Sequence, residues 1–342
     1  MIAERLTAQM LSGPPARDPV AVTRRLLAVQ GQDQRGVRLA IRARSAGLSA
    51  ADVDRALTQD RSLLITWCNR GTLHLLASED YAWLHALTTP PLFTASARRL
   101  AQEGLTERAV ELGVARIERA LAADGPLTRA ALRERIAAVG VRTEGQALVH
   151  LLLAAGLRGI AVRGPMIDGQ HAYVLVRDWL GEQAPVDRDR ALAELARRYL
   201  AGHGPATDRD LAKWAGLPLR DVRAGLAAIA SELHEREDGL LDLAKRAEPA
   251  PLPPPRLLGA FDPLLLGWRS REPLLAENER RLVTVNGLFR PFALVDGRAV
   301  AVWSLAAGKI ELGPFARLRR GDELALGKDG EDVLRYLGMA AG

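Results

Sequence analysis

The sequence predicts a mainly helical protein with added β-structure: three tandem winged-helix modules followed by a small β-barrel module. Three observations support this. A group of helices ending in a hairpin recurs three times before residue 249. A proline-rich stretch over 249–255 then interrupts the chain. Beyond it, short apolar runs alternate with turn dipeptides, as strands do. One helix–turn–helix pattern is only moderately specific, and three in series are far more so. The alternative is an unrelated three-helix repeat used for protein contacts.

The first module, 1–105, opens with an apolar helix over 18–29, capped by Asp18-Pro19 and carrying Val20, Val22, Leu26, Leu27 and Val29. A second helix is expected over 38–46, stopped by Gly47. A third, over 49–59, has Ser49 as cap and Asp52 three residues on. Alternation then predicts strands at 63–67 and 72–76 about the turn Asn69-Arg70-Gly71. The second module, 106–188, gives helices at 107–123, 128–139 and 143–155, the last in the recognition-helix position with Gly156 as its stop. Its wing runs over 158–163 and 171–176, around Gly164-Pro165 and Asp168-Gly169. The third module, 189–248, places helices near 190–201, 208–215 and 219–230, with a hairpin at 233–235 and 240–243 around Asp238-Gly239. The last module, 249–342, reads as strands at 282–285, 292–295 and 299–305, closed by a short helix over 330–337.

A chain of 342 residues exceeds one typical core. Its 48% apolar and 26% charged content is that of an ordinary globular protein. The formal charge is +6, and only four of the 47 basic residues are lysines (Lys213, Lys245, Lys309 and Lys328). Arginine's planar fork suits phosphates and guanine edges. An excess of it favours a polyanionic partner, although a GC-rich genome enriches arginine equally well. The single cysteine, Cys68, excludes a disulfide framework and any cysteine-based metal site. No apolar run reaches the ~18–20 residues of a membrane span, and no signal-peptide pattern is visible, so a cytoplasmic protein is expected.

The chemistry points to one stretch, Leu26-Leu27-Ala28-Val29-Gln30-Gly31-Gln32-Asp33-Gln34, where an apolar run turns abruptly into uncharged amides around Gly31. Such amides position water or grip a sugar–phosphate without being titrated. Gln30-Gly31-Gln32 resembles the Gln-x-Gln motif of the AlkZ-like winged-helix DNA glycosylases. Further stretches resemble the same family in the same order: Thr66-Trp67-Cys68-Asn69-Arg70-Gly71-Thr72-Leu73-His74-Leu75, Phe261-Asp262-Pro263-Leu264-Leu265-Leu266-Gly267-Trp268, Asn286-Gly287-Leu288-Phe289-Arg290-Pro291 and Val295-Asp296-Gly297-Arg298. Each alone is weak; together they span nearly the whole chain. The resemblance implies three winged helices and a β-barrel arranged as a C-shaped clamp on double-stranded DNA bearing alkylated purines.

It also implies Gln30 and Gln32 as the catalytic pair, of the Gln-x-Gln type that the family links to bulky or crosslinking adducts. An N7-alkylated purine already carries positive charge and needs little acid assistance to leave. The enzyme must then stabilise an oxocarbenium-like sugar and deliver water, which oriented dipoles can do. Gly31 would let the backbone pass close to DNA. Asp33, Thr72 and His74 are supporting candidates, Asp33 as a carboxylate helper and the other two as one strand face; a structural role is open for each. Arg70 at a wing tip, and Arg142, Thr143, Arg158, Arg163 and His171 in the second module, are expected phosphate or groove contacts. Trp67 is expected in the core. Asp262 is expected to tie the last module to the first or to form an Asx-turn.

Other chemistries lack their residues. No P-loop, dinucleotide glycine fingerprint, nucleophile elbow or metal-spaced cluster occurs, and the six histidines are scattered singly, so no cofactor or metal is implied. With no lysine near Gln30 to form a Schiff base, a monofunctional enzyme leaving an abasic site is expected. Two other classes remain: a non-catalytic winged-helix regulator or lesion sensor, and an interaction scaffold.

Overall fold

The computed structural model describes residues 1–339. It divides the chain into two compact units, one built from Met1–Val53 and the chain from Leu192 onward, the other from Asp54–Ala191.

In the first unit, Pro19–Leu26 is a helix whose first turn is capped by the Asp18 side chain. The expected helix to 29 stops at Leu26, because Leu27 takes a left-handed φ of 65° and Val29–Gln30 is extended. Leu26, Leu27, Ala28 and Val29 are all buried, so apolarity alone could not mark that stop. The next helix is Gln34–Arg42 rather than 38–46, started by Asp33 as N-cap. Helices Arg188–His203, Asp208–Ala215 and Leu219–Ala228 follow, then the hairpin Leu233–Glu235 with Leu241–Leu243. Thr207 and Asp210 form a reciprocal capping box, and Gly216 closes that helix in a left-handed turn. Tyr199 stacks on His203, Trp214 tilts against both and Trp268 meets His203 edge-on, while the Tyr199 hydroxyl donates to the Gly267 carbonyl at 2.7 Å.

The C-terminal β-structure is a correction to the sequence reading. Among the described residues it is an open four-stranded antiparallel sheet, ordered Lys309–Pro314, Arg298–Ala306, Phe292–Val295, Arg256–Leu258, and not a closed barrel. Its two edge strands were not foreseen. Of the expected strand at 282–285, Leu282 ends the short helix Glu279–Leu282 and Val283 makes an isolated bridge to Phe289, followed by a turn. The short closing helix is long, Arg320–Tyr336. One core holds this sheet and both of its covering helices: Leu39, Leu257, Ala293, Val295, Ala301, Trp303, Leu326 and Val333.

In the second unit, Leu63–Cys68 and Thr72–Ala77 form the expected first hairpin, in register from Leu63↔Ala77 to Cys68↔Thr72. Helices Glu107–Asp124 and Arg129–Ala137 are capped by Thr106 and Thr128. The third begins at Ala147, four residues later than expected, and ends at Leu157. The second hairpin is Ala161–Ile167 with Gln170–Leu175. Gly164-Pro165 lies inside its first strand, where the register shifts between Arg163 and Met166, and not at its tip. Both hairpins merge into one sheet through Ile65↔Arg163.

Arg44 and Asp262, each fully buried, pair in a bidentate fork at 2.9 and 2.8 Å. The other Arg44 donors reach the Gln9 carbonyl, the Gln9 side chain and the Ala40 carbonyl, so all five N–H groups are used. Removing one partner of such a pair leaves a buried charge unanswered. Asp262→Ala is expected to lower unfolding free energy by about 3–5 kcal/mol, read from chemical denaturation. A loss below about 1 kcal/mol, the worth of a surface pair, would contradict the reading of the pair as a buried anchor.

Candidate active site

The amide pair sits between an extended strand end and a helix start, not on a helix face. Gln30 ends the strand Val29–Gln30 and is 7% exposed, whereas Gln32 is exposed. Residues two apart on extended chain share a side, and here they meet: Gln30 Nε2 donates to Gln32 Oε1 at 2.5 Å. That bond sets the direction of both amides. Gln32 Oε1 keeps a second lone pair, and the Gln32 NH2 has no hydrogen bond among the described residues. The exposed end can therefore accept from a water and donate to a phosphate or base, while the buried end fixes it in place.

Asp33 is engaged elsewhere. Its Oδ1 accepts from the Gly36 amide as the N-cap of Gln34–Arg42. This places its carboxylate on the positive end of the helix dipole, a structural duty that competes with the expected role of helper. The helix below carries Arg38, Arg42 and Arg44 in its buried turns and in the turn after it. Arg42 reaches Asp329 and Asp332 of the C-terminal helix and the Leu257 carbonyl. Asp262, besides pairing with Arg44, caps Pro263–Leu266 through the Leu264 amide at 2.9 Å, so both of its expected duties are fulfilled.

The second unit holds the other candidates. His74 is 2% exposed on its strand, and its Nδ1 donates to the Thr72 carbonyl at 2.9 Å. Burial, the nearby Arg70 charge and only partial compensation by that bond push its pKa down to about 3, so the ring is neutral at physiological pH. The cross-strand pairs Thr66↔His74 and Cys68↔Thr72 put four side chains on one sheet face. Thr66 Oγ1, Thr72 Oγ1 and both amide atoms of Asn69 are buried there or at the adjoining turn without a hydrogen-bond partner among the described residues. Asn69 holds a left-handed φ of 49°. Buried polar groups left without any partner cost about 1–3 kcal/mol each. Sequence reasoning missed Thr66 and Asn69. The strand alternation that linked Thr72 to His74 would have found Thr66.

Several expected DNA contacts are occupied within the fold. Thr143 is buried in the lead-in to its helix. Arg163 donates to the Tyr173 hydroxyl at 3.0 Å and lies over the Trp67 and Tyr173 rings. Arg158 forms a bidentate pair with Glu111 at 2.8 and 2.6 Å. His171 is half-buried on its strand, with both ring nitrogens buried. Arg142 is exposed, and Arg70 sits half-exposed at its hairpin tip. Trp67 is core, 6% exposed and stacked on Tyr173. Burial also raises the Cys68 thiol pKa, leaving it an inert hydrophobe. Among the described residues no cluster of three potential metal ligands occurs, and no helix is long and apolar enough to cross a membrane.

Comparison with known proteins gives the chain its class, an enzyme that cleaves bases from DNA. A family model described as DNA glycosylase AlkZ-like matches residues 23–336, and the chain belongs to that family. A relative described as an interstrand DNA cross-link repair glycosylase, from Streptomyces sahachiroi, is 28% identical over 364 residues, covering 99% of this chain and 96% of the relative. The solved structure of Streptomyces sahachiroi DNA glycosylase AlkZ superposes with a TM-score of 0.78 at 25% identity, over 99% of this chain and 96% of that one. The protein is thus a DNA glycosylase, which sets aside the non-catalytic regulator and the scaffold.

The buried neutral His74 makes a pH prediction. An unfolded histidine titrates near 6.5, the folded one at about 3. The unfolded chain therefore binds the extra proton between these values, and stability falls as pH drops through that window. In His74→Gln the melting temperature is expected to fall less steeply between pH 6.5 and 3 than in the parent. Parallel curves would show that His74 is protonated in the folded state or is not buried there.

Proposed function

We propose that this DNA glycosylase hydrolyses the N-glycosidic bond of N7-alkylated purines in duplex DNA, bulky and crosslinking adducts included, with Gln30 and Gln32 as the reacting pair. The observation that carries the reading is the hydrogen-bonded amide pair, one side chain buried and the other at the surface. The relative's role in cross-link repair supports the choice of lesion.

The division of labour follows from charge. A cationic base departs without a general acid, and the sugar left behind is electron-poor. Gln32 Oε1 holds the incoming water by its second lone pair; as the base leaves neutral, the water oxygen bonds the anomeric carbon and its proton passes to bulk solvent. Neither amide titrates, so this step needs no shifted pKa. No lysine lies near the pair in sequence, and the product is an abasic site without strand cleavage. Three successive helix-plus-hairpin modules, read as winged helices, form the scaffold that holds duplex DNA, with Arg70 and Arg142 as phosphate contacts. The protein acts as a cytoplasmic monomer on the nucleoid, in alkylation repair or in self-resistance to a DNA-alkylating natural product.

The purified protein is expected to release N7-methylguanine from modified duplex. Gln30→Ala and Gln32→Ala should each slow release by about 10²–10³-fold, the cost of losing one oriented dipole, while duplex affinity stays unchanged. Parent-like release by both variants would remove the pair from the chemistry.

A further inference from the structure

The reading of Gln30 and Gln32 as the reacting pair leaves open what holds an exposed amide in a fixed place, and the backbone next to it supplies a device. Gly36 lies in the first turn of Gln34–Arg42, where alanine is intrinsically the better helix former. A Cβ at Gly36, however, would enter the Ala260 carbonyl oxygen, and would lie 3.0 Å from Asp33 Oδ1 and 3.2 Å from the Ala260 carbonyl carbon. The opposing residue is also glycine. A Cβ at Gly259 would stand 3.0 Å from the Gly36 Cα, the Gly36 oxygen and the Leu39 Cβ. Two backbones thus meet with no side chain between them, at the turn whose amide binds Asp33.

Both sides of this contact are held by buried charge. Two residues beyond Ala260, Asp262 forks onto Arg44, and at the far end of the helix Arg42 reaches Asp329, Asp332 and the Leu257 carbonyl. The helix cannot slide without breaking these bonds, so its first turn is pressed on the Gly259–Ala260 backbone. Gln32 is attached directly to the Asp33 cap of that turn.

We propose that Gly36 is a positioning residue for the reaction: its contact with the Gly259–Ala260 backbone sets the Asp33 cap and, through it, the aim of the Gln30–Gln32 pair. This rests on that pair being the reacting site. Displacing a reacting group by about 1 Å costs about a hundredfold in rate.

Single-turnover excision of N7-methylguanine at saturating enzyme separates this role from folding and from DNA binding. Gly36→Ala is expected to lose about a hundredfold in rate constant with little change in duplex affinity. The milder Gly259→Ala, whose neighbours need move only slightly, should give a smaller loss in the same direction and remains informative if Gly36→Ala does not fold. Gly225→Ala is the matched control. Its Cβ would enter the Leu192 carbonyl just as severely, but away from the motif. It should lower the melting temperature and leave the rate constant unchanged. Gln30→Ala, run alongside, keeps the two readings apart. If it loses rate while both Gly36→Ala and Gly259→Ala keep it, the positioning role is wrong and the site stands. If Gln30→Ala keeps the rate, the site reading fails and the positioning role with it. Equal rate losses in Gly36→Ala and Gly225→Ala would reduce the effect to general destabilisation and overturn the proposal.

Discussion

The structure around the motif depends on one buried guanidinium. Burying an unpaired charge is costly enough that proteins avoid it, and a buried pair is tolerated only when its remaining donors and acceptors are also satisfied. Arg44 meets that condition fully, with five N–H groups on five acceptors drawn from Gln9, Ala40 and Asp262. The acceptors come from three separated parts of the chain: the residue after the N-terminal helix Ile2–Ala8, the motif helix, and the loop leading out of the C-terminal sheet. None of them can move without stranding a charge. A polar motif that must reach the surface cannot be fixed by an apolar stripe of its own, and here the fixing is done a turn or two behind it.

The same observation changes the meaning of the arginine content. Taken as a composition, an excess of arginine suggests an electrostatic footprint for DNA. Four of these residues, Arg5, Arg38, Arg42 and Arg44, are buried. Arg5 lies over the Trp268 ring at 4.5 Å and bonds the Pro205 carbonyl. Arg163 is likewise turned inward onto aromatic rings. Guanidinium is weakly hydrated and flat, so it can act as a structural crosslink where lysine could not. Counting arginines therefore overstates the surface available to phosphate, and burial decides which remain.

What could be read from the sequence followed the range of the interactions. The hairpin at residues 63–77 rests on local alternation and a turn, and both were visible. The merger of the two hairpins through Ile65↔Arg163 is a pairing across a hundred residues that no local pattern encodes. The C-terminal helix begins well before the expected 330 and runs through Gly321 and Gly327, each of which weakens helix propensity by about 1 kcal/mol. Leu326 and Val333, buried against the sheet, outweigh that. The strand Lys309–Pro314 alternates exposed and half-buried positions at a sheet edge and never presents an apolar run. Within the site, the amide motif stood out as sequence, but its shape did not. The left-handed Leu27 that ends the first helix is an apolar residue among apolar residues. The Asp33 cap is a common helix start hidden by the motif itself.

That cap bears on why the pair is neutral. The N-terminus of a helix carries a partial positive charge of roughly half a unit, a poor neighbour for a sugar developing oxocarbenium character. Asp33 lies on that charge and offsets it. In the proposed reaction the carboxylate thus serves the transition state without touching it, and the groups that reach the sugar can remain amides. A second carboxylate at position 32 would be coupled by like-charge repulsion to Asp33, one residue on. An amide at that position escapes the coupling, and its hydrogen bond to Gln30 gives it the fixed direction that a free glutamine on the surface would lack.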